Sequence, residues 1–157
     1  MSRRSKKTIA ERRPRCAVNV GVGNSLTLDY FSSVRALLDA TQTAHPRVVW
    51  LVENKAVGGA QTPALTSAFA ASVQPFFKQG QLCLLQFCEL TNHIAAGASF
   101  ATARDAAIAY CAQARAAGWR LAFHIPTPRV EKADAGYEAS VSAWDAGELA
   151  IYTQACD

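Results

Sequence analysis

Cys88, His93 and His124, together with Glu53 and Glu89, are the residues of this chain whose types could carry covalent chemistry. A cysteine becomes a nucleophile when a nearby base holds it as the thiolate, and a carboxylate can orient that base. His93 follows Cys88 by five positions and His124 closes a later apolar run, so either ring is a candidate base, with Glu53 or Glu89 as its orienting partner. The plainer reading is a cysteine at a strand boundary and two solvated histidines. Polar residues gather at strand ends in every α/β protein because the chain re-enters water there. The spacing admits both readings.

A second set of residues suits binding. Gly21-Val22-Gly23-Asn24-Ser25 follows a strand-like run and precedes a helical pattern, the context of a phosphate-binding turn. The third glycine of the dinucleotide pattern is missing, with Leu26 in its place, and no GxxxxGK[ST] motif occurs. A tight turn before a helix explains the same residues. Further on, Asn54, Lys55, Gly58 and Gly59 precede Thr62-Pro63, so a loop there could offer backbone N–H groups to an anion. Asn24, Asn54, Lys55, Gly58 and Gly59 are therefore the candidate ligand-binding residues. The three histidines and five cysteines show neither CxxC nor zinc spacing, so no metal and no cofactor is expected.

The elements that must position these groups are legible as alternating patterns. Strand-like runs cover 16–22, 47–53, 81–87 and 119–125, and the second, nearly continuous in apolar character, suggests burial on both faces. Between them lie helical patterns. The first opens with Thr27 as N-cap and Asp29 in its first turn, carries Leu28, Phe31, Val34 and Leu38 on one stripe, and closes at His45-Pro46. The second starts at Thr62-Pro63, runs to about residue 79 and is interrupted by Pro75. Residues 88–99 allow a helical turn ending near Gly97 or a short edge strand. A third helix opens at Thr102, with Asp105 completing a capping box, and stops at Gly118. A linker over 128–136 and a weak helix over 137–156 follow. This alternation predicts a single layered α/β domain with a largely parallel four- or five-stranded sheet flanked by helices. The carboxyl ends of its strands would then bring Asn24, Asn54, Cys88 and His124 to one edge.

Composition agrees with such a domain. Of 157 residues half are hydrophobic and 18% charged, which excludes a disordered polyelectrolyte. No stretch reads as a bilayer-spanning helix. The net charge of +4 is unevenly placed. Arg3, Arg4, Lys6, Lys7, Arg12, Arg13 and Arg15 face only Glu11 in residues 1–15, leaving this arm at about +6 and the rest at about −2. Such an arm suits nucleic acid, an acidic membrane surface or an acidic partner, or is simply a solvated tail. No apolar segment follows it as in a secretory signal, and the odd cysteine count suits reduced thiols, so the cytoplasm is the expected compartment.

Three segments carry a resemblance to a known family. Leu26-Thr27-Leu28-Asp29-Tyr30-Phe31, the run Val48-Val49-Trp50-Leu51-Val52-Glu53, and the run from Phe100 through Asp105 to Tyr110 resemble the first helix, central strand and closing helix of the STAS superfamily. The likeness covers residues 25–112 and is greatest to the lipid-binding-like and anti-sigma-factor-antagonist-like branches. The loop from Glu53 to Gln61 contains no serine, so the phosphorylation switch of the antagonist branch does not carry over. The resemblance implies a STAS-like regulatory module without catalytic activity, acting by binding a protein or an apolar or anionic small ligand. The alternatives are a small enzyme using Cys88 with His93 or His124, and a basic-armed component of a nucleic-acid or protein assembly.

Overall fold

The computed structural model describes residues 15–44 and 48–124. Four strands, β1 (Arg15–Gly23), β2 (Val48–Asn54), β3 (Leu82–Cys88) and β4 (Arg120–Phe123), form one sheet in the order β2-β1-β3-β4, and every pairing is parallel. Helices α1 (Ser25–Ala44), α2 (Thr62–Ser72), α3 (Thr91–Ala95) and α4 (Phe100–Ala116) lie in the crossovers, as parallel neighbours require. The layered α/β class with a parallel sheet is thus observed. The linker and the C-terminal helix fall outside the described residues, as does the basic arm except Arg15, which opens β1.

The two faces of the sheet follow from its register. Successive side chains alternate, and in-register parallel neighbours share a face. Val18, Val20 and Val22 of β1 therefore lie with Cys83, Leu85 and Phe87 of β3 and Phe123 of β4. These residues join Leu65 and Phe69 of α2 and Phe100, Tyr110 and Cys111 of α4 in one core. Ala103, Ala107 and Ala114 are wholly buried, and their small side chains let α4 lie close to the sheet. Phe87 stacks on Tyr110 with ring centroids 4.5 Å apart, and Phe69 meets the same ring edge-on at 5.8 Å. Burying a side chain of this size contributes about 1.5–3 kcal/mol, so this face is a main source of stability among the described residues. The opposite face carries Ala17, Asn19, Gly21 and Gly23, and α1 packs there.

Several local expectations are corrected and others are decided. Helix α1 opens at Ser25, two residues before Thr27, because the Thr27 hydroxyl donates across the sheet to the Cys88 carbonyl at 3.3 Å. Strand β2 is an edge strand, not one buried on both faces: Val49 and Leu51 are 41% and 37% exposed, since α2 and α4 centre on β1 and β3. Helix α2 ends at Ser72, before Pro75, which sits instead in a 3-10 turn, Gln74–Phe76. Residues 88–99 form a helical turn, α3, and no edge strand. The N-cap of α4 is Ser99, whose Oγ accepts from the Thr102 backbone N–H at 3.1 Å, so Thr102 is a capped residue and not the cap. Among the described residues no helix is long and apolar enough to cross a membrane.

Candidate functional site

The carboxyl ends of β1, β2 and β3 are drawn together by polar bonds. Gly23 is the residue that permits it: its φ of +154° suits glycine, and a Cβ there would collide with the Cys88 carbonyl oxygen and the Thr27 hydroxyl. The chain then turns through Asn24 into α1, whose first bond runs from the Thr27 N–H to the Asn24 carbonyl at 3.1 Å. Ser25 is therefore the first residue of a 20-residue helix and stands one residue beyond the end of a central strand. The loop after β2 lies alongside. The Lys55 N–H donates to the Gly21 carbonyl at 2.7 Å and the Val57 N–H to the Gly23 carbonyl at 2.9 Å. Gly58 and Gly59, both exposed and bordered by open space, thus follow a segment tied to β1 beside Ser25.

Glu89, fully buried, joins these segments. Its Oε2 accepts from Asn24 Nδ2 at 2.6 Å and its Oε1 from the His93 backbone N–H at 3.0 Å. Helix α3 in turn places Asn92, whose Nδ2 donates to the Ala60 carbonyl at 3.1 Å and so holds the glycine loop. A second polar chain crosses the α1 face of the sheet. Gln86 Nε2 donates to Asn19 Oδ1 at 2.8 Å, leaving Gln86 Oε1 to accept from His124 Nε2 at 2.8 Å. That orientation puts the ring proton on Nε2 and the lone pair on Nδ1. Burial lowers the pKa of His124, and likewise that of His93, whose Nδ1 is buried without a hydrogen-bond partner. Both rings are therefore neutral at pH 7.

The predicted residues fare differently. Asn24, Cys88, His93 and His124 all lie at or just beyond the carboxyl ends of β1, β3 and β4; Asn24 and the His93 N–H share Glu89, while His124 bonds Gln86 and Cys88 lies by Thr27. Glu53 does not join them. Its register partner is Val20, on the core face, whereas Cys88 pairs with Gly23 on the α1 face. The Glu53 carboxylate instead faces the Lys55 ammonium at 3.4 Å, and Lys55 also lies over the Phe76 ring, 4.5 Å from its centroid. Asn54 Oδ1 accepts from the Ala56 N–H at 3.0 Å, which shapes the loop. Burial pushes the Cys88 thiol up to about 11; the Thr27 hydroxyl draws it down in part, and the negative charge of Glu89 raises it again. At neutral pH Cys88 is a thiol, the opposite of what a cysteine nucleophile needs. Among the described residues no group of three His, Cys, Asp or Glu side chains could hold a metal ion. Sequence reasoning passed over Ser25, Asn92 and the Asn19–Gln86 pair. Ser25 had a signal, a serine in a glycine turn between strand and helix, whereas Asn19 and Gln86 were hidden inside apolar runs.

Neither a family model nor a curated protein sequence matches the chain. Solved structures do. A lipolytic protein of the G-D-S-L family from Desulfitobacterium hafniense superposes with a TM-score of 0.60 at 16% identity, over 85% of this chain and 73% of that one. The acetyl xylan esterase AlAXEase gives 0.64 at 10% identity over 89% and 75%. The psychrotrophic esterase EstA from Pseudoalteromonas, inhibited by monoethylphosphonate, gives 0.55 at 13% over 83% and 73%. The chain shares the fold of these lipases and esterases. The STAS resemblance is thereby overturned, and with it the reading of a non-catalytic, protein-binding regulatory module. Its motifs were general helix and strand patterns. Thr27 reaches across to β3 rather than opening the helix, and residues 48–53 form the sheet edge rather than its centre.

Proposed function

We propose that this protein is a serine hydrolase acting on carboxylic esters, with Ser25 as nucleophile. The observation that carries the proposal is the sequence Gly23-Asn24-Ser25-Leu26, one residue from G-D-S-L, at the junction of central strand β1 and α1. In a parallel sheet, ligands gather beyond the carboxyl ends of the strands, and this junction lies there. The fold shared with solved lipases and esterases supports the same reading.

The chemistry follows from the position. Ser25 Oγ attacks the ester carbonyl while a base takes its proton. The tetrahedral oxyanion collapses, the alcohol leaves with the proton, and water repeats the sequence on the acyl-enzyme. Negative charge developing at the first residue of α1 meets the positive end of the helix dipole. The N–H groups of the Gly58–Gly59 loop are the natural second donors to that oxyanion, and Asn92 holds the loop in place. His124, just past the end of β4, is the candidate base: burial keeps its ring neutral at pH 7, and its bond to Gln86 orients it.

A fluorophosphonate probe followed by peptide mass spectrometry tests the assignment. The expected adduct is on Ser25, absent from Ser25→Ala, with hydrolysis of p-nitrophenyl acetate lost in the same variant. An unlabelled protein, or an adduct on Cys88 instead, would overturn it.

A further inference from the structure

We propose that Glu89 is a positioning residue of this site and that it is the reason Asn24 stands where G-D-S-L has aspartate; the functional half of this inference rests on Ser25 being the nucleophile. The argument is one of donors and acceptors. Glu89 has two carboxylate oxygens, and each accepts from a different segment: Oε2 from Asn24 Nδ2 at 2.6 Å, Oε1 from the His93 N–H at 3.0 Å. Through Asn24 it fixes the residue before Ser25. Through α3 it fixes Asn92, and hence the Ala60 carbonyl of the glycine loop. One buried carboxylate thereby sets the spacing between the nucleophile and the loop that faces it.

The same count makes the two positions mutually dependent. An aspartate at position 24 would present a second carboxylate to Glu89 at hydrogen-bond distance, with both side chains shielded from water. A glutamine at position 89 has a single acceptor oxygen for two donors, so either Asn24 or the His93 N–H would face an NH₂ group. Changing both restores the balance. The introduced glutamine amide would donate to the introduced aspartate, and its carbonyl oxygen would still accept from the His93 N–H. The buried carboxylate of this pair thus stands at the end of β3 and not at the end of β1, and the hydrogen-bond network should tolerate either arrangement but not both carboxylates or neither.

The test is a four-protein cycle: wild type, Asn24→Asp, Glu89→Gln and the double variant. Fluorophosphonate labelling of Ser25 is measured over a range of probe concentrations, at a temperature where circular dichroism shows each variant folded. Each single variant should lower the limiting labelling rate about tenfold or more, with little change in the half-saturating concentration, and the double variant should return to within about threefold of wild type. A merely structural pair would lower thermal midpoints and leave the limiting rates of folded protein alone, which would overturn the positioning role. A double variant no better than the worse single one would overturn the exchange. If a single variant does not fold at all, the double variant still decides, because recovery of folding and labelling together is what the exchange requires. Wild-type protein that takes up no label sinks the hydrolase reading itself, whereas labelled wild type with indifferent single variants sinks only the role of Glu89.

Discussion

The two ends of the sheet are built on opposite plans. At the amino end Cys16, Ala17, Val48, Trp50, Gly80, Gln81 and Leu82 line a hollow of about 660 Å³ with mostly apolar walls. At the carboxyl end there is a crowded knot of polar bonds, with Asn24 and Glu89 buried and Gly23 pressed against β3. The hollow is the kind of concavity that commonly takes a ligand. Chemistry directs attention to the knot. Reactive groups must be held within a fraction of an ångström, and buried hydrogen bonds do that where an apolar wall does not.

The largest effect that would sharpen this contrast is loss of the proposed nucleophile. Ser25→Ala should lower ester hydrolysis by about a thousandfold or more while leaving the thermal midpoint close to wild type. Trp50→Ala at the other end should do the reverse, keeping labelling of Ser25 and losing about 2 kcal/mol of stability in urea unfolding. Retained hydrolysis in the first variant, or lost labelling in the second, would break the comparison.

Glycines probe the same contrast at a smaller scale. Gly23→Ala must displace the Cys88 carbonyl or Thr27 as well as adopt an unfavourable φ, so denaturant unfolding should show a loss of about 3 kcal/mol or more. Gly80→Ala meets open space, and its φ of +78° alone should cost about 1 kcal/mol. Equal losses would mean that the carboxyl end is no more tightly built than the amino end.

Acid and base act on the carboxyl end through His124 and Cys88. Burial holds the His124 pKa below 6.5, so between that value and the lowered one the unfolded chain carries the extra proton. Stability should therefore fall as pH drops from about 6.5 and level off once the folded ring is also protonated. Hydrolysis should fall over the same acidic range, and His124→Ala should flatten the acidic slope of stability while losing hydrolysis at every pH. The Cys88 thiol gives the opposite sign. It titrates near 9.0 in the unfolded chain and about 11 in the fold, so stability should decline as pH rises between those values. Urea midpoints across pH 4 to 11 check both slopes, with Cys88→Ala flattening the alkaline one.

The smallest effect belongs to the core. The Tyr110 hydroxyl is wholly buried without a hydrogen-bond partner, so Tyr110→Phe should raise stability by about 1 kcal/mol without touching hydrolysis. A loss of stability would show that the hydroxyl is better satisfied than the fold indicates.

Much of this molecule was written locally. The four strands, the three long helices and the arrest at Pro75 follow from hydrophobic period, turn residues and proline geometry, which are properties of a few neighbouring residues. The convergence of Asn24, Cys88 and His124 on one edge followed from topology once the sheet was parallel. Periodicity could not show which strands are central. Residues 48–53 read as the most buried strand, yet they form the edge, because strand order depends on packing between segments far apart in the chain.

The site divides in the same way. Gly23-Asn24-Ser25-Leu26 was visible as a turn between strand and helix, but Ser25 did not stand out within it. That Asn24 is answered by Glu89, 65 positions away, and that Glu53 points to the wrong face to take part, only the folded sheet decided. Hydrogen bonding and burial are properties of neighbours in space, and for buried polar groups those neighbours come from other strands. Local sequence determined which groups this protein owns and the elements that carry them; register and face determined which of them meet.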